Sequence, residues 1–234
     1  AIMTTDTFEK IVSRKVKIGG QPVTVCGIAK GAGMIQPDMA HATMLTYIVT
    51  DAAVKRPLWR KLTKACVEQS FNTITIDGCT STNDSVFFLA SGKSGVMISA
   101  EDERYAAFST ALAEVCEELA TLIVRDGEGA TKLIRVTITG AATTAEAKKA
   151  AFAVANSMLF KTAMYGNNPN IGRVVQILGQ EGIVDSSWKP AIDLKGLNTK
   201  NVELTVDIAH GDAFFTALTC DLTEEYVKIN AEYN

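Results

Sequence analysis

Apolar and polar positions along the chain follow two periods that alternate in blocks. Near the N-terminus, "KVKIGG" and "VTVCGIAKGAG" read as extended segments broken by glycine. "LTYIVTDAAV" is apolar enough for a buried strand or a buried helix. Pro57 suits the first turn of a helix, and Leu58, Leu62, Ala65 and Cys66 recur behind it at helical spacing. "FNTITIDG" alternates as a strand does, and "DSVFFLASG" is a continuous apolar run of the kind that buried strands carry. The clearest amphipathic helix runs from Glu101 to Arg125, with Phe108, Leu112, Val115, Leu119 and Leu122 as its stripe. Acidic residues crowd its first turn, where the helix dipole favours them. "TKLIRVTITG" predicts a strand, and "TTAEAKKAAFAVANSMLFKTAM" a second long helix with threonine capping signals at its start. "GRVVQILGQ", "NVELTVDIA" and "EYVKINAEY" read as shorter strands. Long helices alternating with paired strands predict an α+β layered protein rather than a doubly wound parallel sheet.

Composition narrows the classes of function. A chain of 234 residues can bury a core as one large domain or two smaller ones. Its net charge of −3 gives no electrostatic reason to expect nucleic acid or an anionic membrane as partner. The densest basic cluster, "KRPLWRK", decorates one helix. No apolar run approaches the ~20 residues of a membrane span. The start, "AIMTTDTFEK", lacks an initiator Met and the basic-then-apolar pattern of a signal peptide, so it reads as processed or excerpted. Cys26, Cys66, Cys79, Cys116 and Cys220 are odd in number and widely spaced, without Cys-x-x-Cys. That pattern argues against a disulfide framework or zinc ribbon and predicts a reducing, intracellular compartment. Two histidines, His41 and His210, are too few for a His-rich metal site, and no metal is expected. "GIAKGAGMIQ" has neither phosphate-loop nor dinucleotide-loop spacing, which leaves Lys30 as a single cation on a turn of small residues.

Chemistry concentrates on "PDMAHATML". A threonine hydroxyl is a poor nucleophile until a base takes its proton. A threonine at a chain start can use its own α-amine, whose ordinary pKa of about 7.7–8.0 lies close to working pH. That amine exists only once the preceding peptide bond is cut. Thr43, after the small Ala42, has the form needed to cut that bond itself: the hydroxyl attacks the preceding carbonyl, the acyl group moves from nitrogen to oxygen, and water opens the ester. The dipeptide alone decides nothing, since Ala130-Thr131 and Ala142-Thr143 repeat it.

The surroundings are more specific. "AIMTTDTF", "GIAKGAGMIQPDMAHATMLTYIVTDA", "DGCTSTNDSVFFLASG", "GEGATKLIRV", "FKTAMYGNNPNIGR" and "DIAHGDAFFTALTCDLTEEYVKINAEYN" occur in this order. Through almost the whole chain they resemble the ornithine acetyltransferase (glutamate N-acetyltransferase) family of arginine biosynthesis. The resemblance implies an αββα-type layered fold with mostly antiparallel sheets, and a precursor that cuts itself between Ala42 and Thr43. Residues 1–42 would then be the C-terminal part of an α chain and 43–234 the β chain, assembled as α2β2 in the cytoplasm. Thr43 would carry an acetyl group in ping-pong transfer from N2-acetylornithine to glutamate. No cofactor is implied, although some members accept acetyl-CoA as a donor substrate. Thr4, Lys30, Thr43, Glu128 and Asn230 stand at the family's substrate-binding positions, Lys30 as a cation for substrate carboxylates and Glu128 as a carboxylate for a substrate amine.

Departures from the family pattern are local. "PDMAHATML" carries an extra pair of residues around His41 before the Ala-Thr bond. The family's α chain extends upstream of the residue numbered 1 here and supplies a Thr-Gly oxyanion hole from that part. The family tail closes with a further substrate-contacting threonine, where this sequence has Asn234. Cys79 replaces a common acidic residue and Ile171 a common tryptophan. Two other readings stay open: a related self-processed threonine amidohydrolase or aminopeptidase, and an unprocessed, non-catalytic chain.

Overall fold

Alternation at the N-terminus folds as a hairpin. β1 (Lys10–Ile18) and β2 (Gln21–Lys30) pair antiparallel around Gly19 and Gly20, both at positive φ. This computed structural model describes residues 2–37, 44–99 and 102–232. The chain divides into two compact units, Ala1–Ile74 with Thr80–Ile123, and Thr75–Cys79 with Val124–Asn234.

In the first unit β2 pairs antiparallel with β3 (Leu45–Thr50). A two-residue β4 (Ala53–Val54) and α1 (Arg56–Gln69) follow, with proline in the first helical turn as expected. β5 (Ser85–Ala90) joins β3 in parallel, which completes the order β1-β2-β3-β5. β6 (Met97–Ile98) pairs with β4. α2 (Glu103–Arg125) lies over the sheet: a Cβ added at Gly27 would meet Leu119 at 2.5 Å and Val115 at 3.0 Å. Gly27 thus leaves the room that Leu119 and Val115 of the helix occupy against the strand. Phe108, Leu112, Val115 and Leu119 are buried as the stripe predicts, whereas Leu122 is only half-buried and Cys116 and Ile123 take its share.

The opposite face of this sheet is apolar and open. Ile11, Ile28, Tyr47 and Phe87 stand in one cross-strand row, and Cys26, Val49 and Leu89 in the next. Phe87 stacks on Tyr47 with ring centroids 5.1 Å apart, yet Phe87 and Leu89 remain exposed. "DSVFFLASG" therefore forms the expected strand without the expected two-sided burial. "FNTITIDG" is not a strand: Phe71–Thr73 make one 3-10 turn, and the alternation there comes from Phe71, Ile74 and Ile76 dropping into the core in turn.

In the second unit, β7 (Leu133–Ala141) is followed by α3 (Thr144–Ala155), α4 (Met158–Tyr165) and α5 (Gly172–Gln180). Then come β8 (Ala191–Lys195), β9 (Asn201–Asp207), β10 (Ala213–Cys220) and α6 (Glu224–Glu232). The sheet order is β10-β7-β9-β8, with one parallel pairing, β7 to β9, between two antiparallel ones. Ile134, Val136 and Ile138 on β7 and Val202, Leu204 and Val206 on β9 meet Ala147, Ala151 and Val154 of α3 in one core. Both units are helix-and-sheet, so the α+β class stands, and in each four-stranded sheet antiparallel pairings outnumber parallel ones.

Three predicted elements of this second unit differ as well. The second long helix breaks at Asn156-Ser157 because the Ser157 hydroxyl accepts from the Phe160 N–H and starts a new helix. "GRVVQILGQ" is α5, with Val174, Ile177 and Leu178 buried at helical spacing. Its branched residues imitate a strand. "EYVKINAEY" is α6, started by the Thr223 hydroxyl accepting from Tyr226 N–H. Asn230 therefore sits on a helix and not at a strand end.

Candidate active site

The first unit gathers two of the expected site residues around a buried carboxylate. Asp6 accepts from Thr4 N–H at 3.1 Å, from Gly31 N–H at 2.7 Å and from the Lys10 ammonium at 2.6 Å. Thr4 and Lys30, the residue before Gly31, are thereby fastened to one anchor. The Asp6 and Lys10 side chains are both 0% exposed. Burial alone would push the Asp6 carboxyl up, but the Gly31 amide, Lys10 and the Thr4 amide outweigh it and hold it below the ordinary carboxylate range. Gly31 has a φ of +145°. A Cβ there would lie 3.0 Å from Ile35, so the turn after Lys30 favours glycine.

Lys30 ends β2 directly opposite Leu45 at the start of β3. The connection between them holds Ala42 and Thr43, which lie outside the described residues, as does His41. Their neighbour is well fixed: Met44 is fully buried, its carbonyl accepts from Ser85 N–H at 2.8 Å, and its N–H donates to the Asp84 carboxylate. Burial pushes Asp84 up to about 8, with Lys30 pulling the other way.

The second unit brings Glu128 and Asn230 together. The Asn230 amide donates to Glu128 Oε2 at 2.7 Å and to the Tyr226 carbonyl at 3.0 Å. Glu128 sits on a turn tied to α6, because the Thr223 hydroxyl that caps the helix donates to the Gly129 carbonyl at 2.8 Å. Asp221 holds the downstream side by accepting from Thr131 N–H at 2.8 Å and Lys132 N–H at 2.9 Å. The buried Lys161 ammonium donates to the Ile76 carbonyl at 2.8 Å, the Thr219 hydroxyl at 2.9 Å and the Cys220 carbonyl at 2.5 Å, which binds the 75–79 segment to β10. From that segment Asp77 reaches the Tyr226 hydroxyl at 3.5 Å. Burial first, then the charges of Asp77, Cys79 and Glu128, pushes the Tyr226 phenol up to about 12, so it stays a neutral donor.

Gly129 offers a direct test of this turn. Its φ is +68°, and a Cβ would meet Tyr226 N at 2.5 Å and Thr223 Oγ1 at 2.7 Å. Gly129→Ala is expected to cost about 2–4 kcal/mol in urea unfolding, combining left-handed strain with overpacking. A loss below about 1 kcal/mol, the range of a surface change, would show that the turn is not held against α6.

The expected residues thus fall into two anchored pairs, Thr4 with Lys30 and Glu128 with Asn230, each described within its own unit. Asp6 and Asp84 escaped the sequence reading. Each stands inside a quoted motif, "MTTDTF" and "CTSTND", yet an aspartate beside threonines reads as a turn residue until its partners are known.

Fold and anchors together define an α+β protein that presents cationic and anionic groups on separate turns fixed by buried carboxylates. The ArgJ family model matches residues 1–196 and 189–234, and the chain belongs to that family. It is 41% identical to the arginine biosynthesis bifunctional protein ArgJ of Agrobacterium fabrum over 100% of this chain and 62% of the relative. It is 42% identical to the glutamate N-acetyltransferase of Methanocaldococcus jannaschii over 100% of this chain and 64% of that protein. The chain therefore spans less than two thirds of the length of these relatives. Among solved structures, the arginine biosynthesis bifunctional protein argJ of Bacillus halodurans matches with a TM-score of 0.75 and 36% identity, over 82% of this chain and 100% of the other.

Proposed function

We propose that this chain carries the threonine centre of an N-acetyltransferase of arginine biosynthesis, moving acetyl from N2-acetylornithine to glutamate. Membership of the ArgJ family, with an Ala42-Thr43 pair in the connection between Lys30 and Met44, is the observation that carries the reading. Thr43 Oγ attacks the Ala42 carbonyl, the C–N bond breaks as the C–O bond forms, and the hydroxyl proton passes to the departing nitrogen. Water then opens the ester, giving an Ala42 carboxylate and a Thr43 with a free amine and hydroxyl. In turnover the amine takes the hydroxyl proton, Oγ takes acetyl from acetylornithine, ornithine leaves, and the glutamate amine removes acetyl from Thr43.

The anchored pairs suit this chemistry. Lys30 and the Thr4 hydroxyl bind the anionic end of a substrate. Asn230 donates to Oε2 of Glu128 and orients the carboxylate, whose charge suits a substrate amine. The processed α and β chains would assemble as α2β2 in the cytoplasm, with acetyl-CoA as an alternative donor.

Intact-mass spectrometry of purified protein incubated with acetylornithine is the test. Two species meeting at Ala42-Thr43, the C-terminal one gaining one acetyl group that glutamate removes, are expected. Acetyl loss to water at the same rate without glutamate would establish the hydrolase reading instead. A single unbroken and unacetylated chain would overturn both.

A further inference from the structure

We infer that Asp221 is the positioning residue for Glu128: it locks the turn that aims the Glu128 carboxylate, and so sets how strongly the site prefers a substrate bearing an ammonium group. That preference rests on Glu128 binding the substrate amine, as proposed above, whereas the positioning does not.

The turn is fixed only in part by its own backbone. Ala130 N–H donates to the Gly127 carbonyl at 2.8 Å, which puts Glu128 and Gly129 at the two corners of a four-residue turn. The φ of +68° at Gly129 is the left-handed second corner that glycine supplies. One hydrogen bond leaves the plane of such a turn free to tilt. Two side chains that follow β10 remove that freedom. The antiparallel register of β10 with β7 ends at Cys220 opposite Leu133. One step further, the Asp221 carboxylate takes over from the backbone carbonyl as acceptor. Its Oδ1 accepts from Thr131 N–H at 2.8 Å and from Lys132 N–H at 2.9 Å, and its Oδ2 accepts from the Thr131 hydroxyl. Thr223, two residues on, donates to the Gly129 carbonyl at 2.8 Å. The turn is gripped at its second corner and just behind it. Glu128 keeps its side-chain rotation, and Asn230 restricts that by donating to Oε2 at 2.7 Å.

The charges indicate what the grip is for. Asp221 is buried, and among the described residues it has no ion pair. Lys132, whose amide it holds, sends its ammonium instead to the Met164 and Leu197 carbonyls and to Asn167 Oδ1, each at 2.6 Å. Glu128, on the same turn, is buried as well. Two buried carboxylates without a cation are a costly way to stabilise a turn, because buried charge is ordinarily paired. They do hold one negative group at a fixed place, ready for a cation that arrives with the substrate.

In N2-acetylornithine the free amine ends the side chain, so N2-acetylnorvaline, the same molecule without that amine, isolates what Glu128 contributes. The experiment compares kcat/KM for the two donors in native protein, Asp221→Ala and Asp221→Asn. Asparagine keeps an oxygen for the two N–H groups and offers its NH2 to the Thr131 hydroxyl, which then accepts. The preference for acetylornithine should fall by about 10–10²-fold in Asp221→Ala, as for loss of a charged hydrogen bond, and stay within about threefold of native in Asp221→Asn. Equal losses for both donors overturn the inference and leave Asp221 a structural clamp. If Asp221→Ala does not fold, Thr131→Val, which removes only the hydroxyl, should lower the same ratio, and an unchanged ratio there overturns the inference too. The side-chain amide resonance of Asn230, in protein labelled with nitrogen-15 asparagine, reports its bond to Glu128 without any substrate. It should move in Asp221→Ala or Thr131→Val and hold in Asp221→Asn, and a resonance that never moves shows that Asp221 does not place Glu128. A native protein that treats the two donors alike counts against amine binding by Glu128, and the resonance then judges Asp221 by itself.

Discussion

Lys10→Met is expected to lose about 3–5 kcal/mol of stability, the cost of leaving a buried carboxylate without its cation. Lys10 and Asp6 are fully buried and 2.6 Å apart. Methionine fills the volume of the lysine stem but supplies no proton. Urea unfolding at neutral pH measures the loss, and adding Asp6→Asn should recover part of it, because an amide oxygen still accepts from Gly31 and Thr4. The pH dependence has a definite sign. The native Asp6 pKa lies below its unfolded value of about 3.9, so its contribution is complete above that pH and disappears as pH falls through the lower, folded value. Without Lys10 the desolvation of Asp6 is less well opposed, its folded pKa rises, and the acid limb of stability should move to higher pH. An unchanged acid limb would show that the two amides suffice. Since Asp6 also holds Thr4 and Gly31, the same variant should weaken binding of an anionic substrate more than it slows turnover.

Thr43→Ala should abolish scission between Ala42 and Thr43 and reduce acetyl transfer by at least about 10³-fold, as removal of a covalent nucleophile does. Thr43→Ser keeps a hydroxyl and should cut and transfer at reduced rates. Intact mass reports the scission, and transfer of labelled acetyl from acetylornithine to glutamate reports the activity. Transfer by Thr43→Ala within tenfold of native would dismiss the covalent intermediate.

Long amphipathic periods were readable from the sequence because burial on one face forces them. α1 and α2 follow from Leu62, Cys66, Phe108, Leu112, Val115 and Leu119, and β9 from its strict alternation. Short apolar runs were not. "GRVVQILGQ" buries Val174, Ile177 and Leu178 at i, i+3 and i+4, but its branched residues also fit a strand, and packing in the core decides for the helix. "EYVKINAEY" buries no residue, so it carries no core-facing period, and the local cap at Thr223 starts it as a helix. The candidate site divides the same way. Lys30, Thr43 and Glu128 stand in quotable motifs, but Asp6 and Asp84 gain meaning only when strand register brings residues 31 and 44 beside them. Such pairing across the chain is invisible to local pattern.

The β2–β3 hairpin changes what a cut at residue 43 would mean physically. Six residues from Val25 to Lys30 pair with Leu45 to Thr50, on either side of the connection that would be severed. Before scission the two strands meet at the high effective concentration of a tethered loop. Afterwards they are separate molecules joined by the same ladder, and the association that was a matter of chain connectivity becomes one of mass action. Stability should then rise with protein concentration in the cut form and be independent of it in the uncut form.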